Sequence, residues 1–104
     1  MARGPDAGTL VERALSLSAT RAAISMVVTD AVVTRWASAT FTGARHALEL
    51  SLIDTAAART WLATLSEAEL PMRGHLMADC VVVRTREEGG MIDASVEALT
   101  VEVA

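Results

Sequence analysis

Two histidines, His46 and His75, are the residues of this chain best suited to chemistry near neutral pH. Imidazole titrates there and also binds zinc. Each closes a similar cluster: "TGARH" (42–46) and "MRGH" (72–75) both bring Gly, Arg and His together. With Asp79 or Glu49, the two rings could form an acid–base pair or part of a metal site. No HxH, HExxH or CxxC spacing is present, so local sequence does not make the side chains converge. Zinc needs three or four ligands, and only His46, His75, Cys80 and scattered carboxylates are on offer. The simpler reading is that each ring sits half-packed at a strand start, one nitrogen bonded to a backbone carbonyl. On that reading Trp36, Arg45, His46, Arg73 and His75 are strand-start or interface residues.

Other chemistry finds less support. A phosphate loop places several glycines between a strand and a helix N-terminus, whereas Gly43 and Gly74 each lead into a strand-like run. Cys80 precedes "VVV", where a cysteine is usually a small core residue. The GxSxG nucleophile elbow is absent. No catalytic residue, cofactor or metal is therefore assigned, and the expectation is a protein that is not an enzyme. Arg84, Arg86, Glu87 and Glu88 read as a solvated hairpin tip, with an inter-subunit salt-bridge patch as the alternative. Met72 and Met77, with Leu70 and Leu76, read as core, with an exposed interface patch as the alternative.

The 104 residues suit one domain, 1–104, with 1–8 as a loose arm. Hydrophobic residues make up 52%, but much of that is alanine, which limits core volume. The net charge of −4 lacks the basic stripe of a nucleic-acid surface. Trp36, Trp61 and Phe41 are too few rings for a stacking platform. All nine basic residues are Arg, as a high-GC genome would also produce. A lone cysteine gives no internal disulfide. "MARGPDAGTLVER" has no apolar leader core, and "AAISMVV" is too short to cross a bilayer. The expectation is a soluble protein of the reducing cytoplasm, without membrane or specific nucleic-acid partners.

The elements follow from periodicity. "TLVE" fits a capping box at Thr9 and Glu12, opening a short helix over 9–18. The same letters also alternate (Val11, Arg13, Leu15, Leu17), so a strand competes. Residues 22–42 are β-branched and uninterrupted by Gly or Pro. They make one long kinked strand or a strand pair, with a bulge, bend or break at Thr29-Asp30. Residues 43–45 read as a turn, with "TGAR" as the loop of a hairpin joining 31–42 to 46–53. "HALELSLI" alternates, placing His46, Leu48, Leu50 and Leu52 on one face, as in a sheet covered on one side. Asp54 or Thr55 can cap a helix over about 55–66, whose stripe of Ala57, Ala58, Trp61, Leu62 and Leu65 fits that leucine face. Pro71 stops it. "GHLMADCVVVRTR", the "EEGG" turn and "MIDASVEALTVEVA" form a second hairpin. A change of phase between Val96 and Leu99 suggests a bulge near Glu97-Ala98. The sum is an α+β domain: a mainly antiparallel sheet of four to five strands with helices on one face.

From Val27 to Val103 the order of features resembles the tail-completion (tail-terminator) proteins of long-tailed phages and gene transfer agents. The matching residues are Trp36, Ser38, Gly43, His46, Leu48, Leu50, Gly74, His75, Asp79, Ala98, Leu99, Thr100 and Glu102. The N-terminal part is shorter than in that family and lacks its longer helix and Pro-rich loop. The resemblance implies a structural role: a homo-oligomeric ring, usually a hexamer, that ends tail-tube growth and meets the head–tail connector in the particle. Ring closure needs a heterologous interface. Exposed edges of the 22–42 region and the C-terminal strand would supply it. The alternative is a small homo-oligomeric, non-catalytic binding module of a bacterial cell, marked by a pocket under the 55–65 helix.

Overall fold

The computed structural model describes residues 6–103. A first helix, α1 (Ala7–Arg21), is capped by Asp6, whose Oδ1 accepts from the Thr9 backbone N–H at 2.8 Å. The expected cap at Thr9 is thus displaced by three residues, because the aspartate carboxylate reaches the orphan donors one turn earlier. The helix is fifteen residues long rather than short. Ala7 and Gly8 of the expected arm are helical, and residues 1–5 lie outside the described residues. The competing strand over this stretch does not form, because Val11, Ala14, Leu15 and Ala19 make a buried helical stripe. The helix ends where Ala23 takes a left-handed backbone (φ 59°) and the Ile24 N–H returns to the Ala19 carbonyl at 2.9 Å.

One strand, β1 (Met26–Ala37), fills most of the 22–42 run. Its register against β2 (Thr42–Ile53) slips between Val28 and Asp30, leaving Thr29 as a bulge whose hydroxyl donates to the Glu49 carbonyl at 3.2 Å. The loop between the strands is Ser38–Phe41, not "TGAR". The Ser38 N–H donates to the Phe41 carbonyl (2.7 Å), and the Phe41 N–H to Ser38 Oγ (3.1 Å). Gly43, Ala44 and Arg45 lie inside β2, paired with Trp36, Arg35 and Thr34. His46 is therefore a mid-strand residue rather than a strand start. The glycine that suggested a turn serves a close approach instead, described below.

Thr55 caps α2 (Ala56–Thr64) by accepting from the Ala58 N–H at 3.0 Å, and a 3₁₀ turn over Leu65–Glu67 follows. The second hairpin joins β3 (His75–Glu88) to β4 (Met91–Glu102) across Gly89 and Gly90, both at positive φ. The four strands lie in the order β1-β2-β4-β3, every neighbour antiparallel. The fold is α+β, one antiparallel sheet with two helices, as the periodicity implies.

Two expectations fail in this hairpin. Ile92, Ala94, Val96, Ala98 and Thr100 all stay buried on one face, so β4 has no change of phase and no bulge near Glu97-Ala98. The bulges sit in β3, at Ala78 and Val83, where the register slips. In addition, β4 lies between β2 and β3, so it is not an edge. The edges are β1 and β3.

Both helices cover one face of the sheet. Leu48, Leu50 and Leu52 of β2, Ile92 and Val96 of β4, Leu15 of α1 and Trp61 and Leu62 of α2 form a single core cluster. The helices also meet each other: the Trp61 indole N–H donates to Ser18 Oγ at 2.9 Å.

Candidate functional site

His46 lies on the helix-covered face and is 2% exposed. Its Nε2 is 2.9 Å from Thr100 Oγ1, which in turn lies 3.4 Å from the Ala44 carbonyl. The carbonyl can only accept, so the threonine hydroxyl donates to it and Nε2–H donates to the hydroxyl. This chain assigns the imidazole proton to Nε2. The Nδ1 lone pair is buried and has no partner among the described residues. Burial lowers the His46 pKa from its usual value, the His75 charge adds to that, and Asp6 opposes it. The lowered pKa leaves the ring neutral at pH 7.

His75 opens β3, and its Nδ1–H donates to the Arg73 carbonyl at 3.2 Å. β2 and β3 lie on either side of β4, so the two histidine backbones are separated by two strand spacings, roughly 10 Å, before any offset along the strands. No hydrogen bond joins the rings. Cys80 is buried among core residues, and burial, with Asp79 beside it, pushes its thiol up to about 11. Among the described residues, no group of three or more His, Cys, Asp or Glu is placed to hold a metal ion. No helix among them is long and apolar enough to cross a membrane.

Among the described residues, no helix lies on the opposite face of the sheet. Its residues are those alternating with the leucines: Arg45, Ala47, Glu49 and Ile53 of β2, with their partners in β1, β3 and β4. Trp36 lies at one end, its ring over Gly43. A Cβ built on Gly43 would stand 2.8 Å from Trp36 Cζ2 and 2.1 Å from the Thr100 carbonyl oxygen, so only glycine fits. Next to it is a depression of about 400 Å³ whose lining mixes Val32, Ala47, Val81 and Leu99 with Arg45, Asp79 and Glu97, Glu97 standing between Ala47 and Val81. Val27, Val32, Ile53, Val81 and Met91 are all substantially exposed on this face. Farther along, Glu49, Arg84, Arg86, Asp93 and Ser95 line a polar hollow of about 560 Å³, where the Ser95 hydroxyl donates to Glu49 Oε1 at 2.7 Å.

A third hollow, about 430 Å³, lies between α2 and β3, over Leu62, Ala63, Val82 and Ile92. Arg59 stands at its rim, held by two 2.8 Å hydrogen bonds to Asp54 and by Glu87 at 3.2 Å. The guanidinium holds the Asp54 carboxyl below the usual carboxylate range.

The predicted residues therefore separate. Trp36 and Arg45 share the uncovered face, His46 is buried on the helix-covered face, His75 opens β3 and Arg73 lies just before it. What the histidine clusters concealed is the uncovered face itself. Its signal lay in the valines of β1 and β3 (Val27, Val32, Val81), which alternate out of phase with the buried set.

No family model and no curated protein matches this chain. Among solved structures, the fold is similar to a chain in the one described as "Virion of native gene transfer agent (GTA) particle". The TM-score is 0.51 at 20% sequence identity, over 99% of this chain and 75% of that one.

Proposed function

We propose that this chain is a structural protein of a virion-type particle, assembling as a ring that ends a phage or gene-transfer-agent tail tube and contacts the head–tail connector. The observation that carries the reading is the match over nearly the whole chain to a component of a gene transfer agent virion. The sequence pattern from Val27 to Val103 points the same way. The surface suits assembly: a sheet face with exposed valines is uncovered, and such patches commonly mark interaction sites. On this reading the partners are further copies of the chain, in a ring such as a hexamer, and the tail-tube and connector proteins. Trp36 and Arg45 act as contact residues on the uncovered face, and Arg73 and His75 at one end of the sheet. The protein is made in the cytoplasm and ends in the particle.

A cyclic oligomer in native mass spectrometry, formed in a concentration-dependent way, is the expected result. A strict monomer at every concentration contradicts the ring.

One observation favours a second reading, a homo-oligomeric binding module: the hollow beneath α2 is partly apolar and edged by the Arg59–Asp54–Glu87 cluster. A twofold dimer whose Leu62 and Val82 signals shift on adding a small apolar ligand would support that reading over the ring.

A further inference from the structure

The uncovered sheet face and the outer surface of α1 complement one another. Arg13, Leu17 and Arg21 follow at four-residue spacing and form one exposed ridge, opposite the buried stripe of Val11, Ala14, Leu15 and Ala19. Leu17 is 49% exposed, an unusual site for a leucine on a helix that already buries one face. The two arginines lie on the order of 12 Å apart, one turn to either side of it. Neither takes part in an ion pair among the described residues. On the other side of the molecule, Val81 and Leu99 are diagonal neighbours on β3 and β4, and Asp79 and Glu97, likewise free of ion pairs among the described residues, occupy the other diagonal, with Arg45 opposite Leu99. A cation–leucine–cation ridge thus meets an apolar pair flanked by two carboxylates, with Arg45 the single cation beside them.

We propose that α1 of one copy docks on the uncovered sheet face of the next, Leu17 packing on Val81 and Leu99, and Arg13 and Arg21 pairing with Asp79 and Glu97, which flank that apolar pair. The proposal rests on the self-assembly reading above and names the contact that builds the ring. Ridge and hollow lie on opposite sides of one chain, so every copy offers one of each, which is the heterologous arrangement a ring requires. Docking adds a helix to the second face of the sheet and removes Val81 and Leu17 from water.

Edge pairing is the weaker route. β1 carries a bulge at Thr29 and the charged Asp30 and Arg35, and β3 carries bulges at Ala78 and Val83. Bulges and charges are features that discourage strand addition.

The test uses the full chain, with association followed by sedimentation velocity and native mass spectrometry. Leu17→Glu and Val81→Glu, each with unchanged circular dichroism, should weaken self-association at least tenfold. Mixed together, each retains one intact surface, so they should form a one-to-one dimer and nothing larger. A second pair, Arg13→Glu with Arg21→Glu in one chain and Asp79→Arg with Glu97→Arg in another, tests the charges if Val81→Glu does not fold. Each should fail alone and recover in the mixture, with salt weakening the wild-type contact. A wild-type oligomer that persists in all four surface variants overturns this contact and leaves the ring reading standing. A wild type that never associates overturns the ring reading itself.

Discussion

The ring of Trp36 rests on Gly43, the residue directly opposite it in the β1–β2 ladder. The absence of a side chain at position 43 lets the indole and the Thr100 carbonyl both close on the backbone. Neither neighbour can retreat easily, since one belongs to the central strand and the other has its indole nitrogen fully buried. Gly43→Ala should destabilise the fold by about 3 kcal/mol, the upper part of the range for overpacking. Thermal melting should show a fall of about 10 °C or more. An unchanged melting temperature would mean that the two strands do not approach as described.

The burial of His46 makes stability depend on pH. The folded-state pKa of His46 lies below its unfolded value, so the unfolded chain binds more protons between the two. Stability is therefore complete above about pH 6.5 and declines as pH falls through 6.5 toward the lower folded value. The slope from one such group is at most about 1.4 kcal/mol per pH unit. Asp6 and Asp54, both lowered, act only in the more acidic carboxylate range and do not enter this window. Urea unfolding of the wild type from pH 8 to pH 5 should show the decline, and His46→Gln should flatten it. A slope that survives the substitution would assign the effect elsewhere.

Cys80 should behave as a core residue. With its thiol at about 11 and its side chain buried, native protein at pH 8 should react with a thiol reagent orders of magnitude more slowly than unfolded protein. Rapid labelling of the native state would show that β3 opens readily.

Ala23 closes α1 in the left-handed region without being glycine. Such a position costs an ordinary residue roughly 1 kcal/mol. Ala23→Gly should therefore raise stability by about that amount, read from the midpoint of denaturant unfolding. A loss of stability would indicate that the Ala23 methyl group makes a contact worth more than the strain.

Most of the architecture was legible where one physical signal acted alone. The alternation of Leu48, Leu50 and Leu52 identified the covered face of β2, and the Ala58–Trp61–Leu62 stripe with Thr55 identified α2. Errors arose where one residue type serves two purposes. Gly43 resembles a turn residue but marks a close approach to Trp36, and the hairpin loop lies at Ser38–Phe41, several residues earlier. Asp6 and Thr9 are both good caps, and only the geometry selects Asp6. The place of β4 inside the sheet depends on pairing between segments far apart in sequence, which no local pattern encodes. The histidine clusters drew attention to chemistry, whereas the exposed valines of the uncovered face gave a quieter signal, because alternate β-branched residues read equally as core.

The measurement closest to the central claim is native mass spectrometry of the wild-type chain over a wide concentration range. A closed ring of identical subunits, with no ladder of open intermediates at high concentration, is the predicted result. A monomer throughout, or a twofold dimer that grows no further, would contradict it.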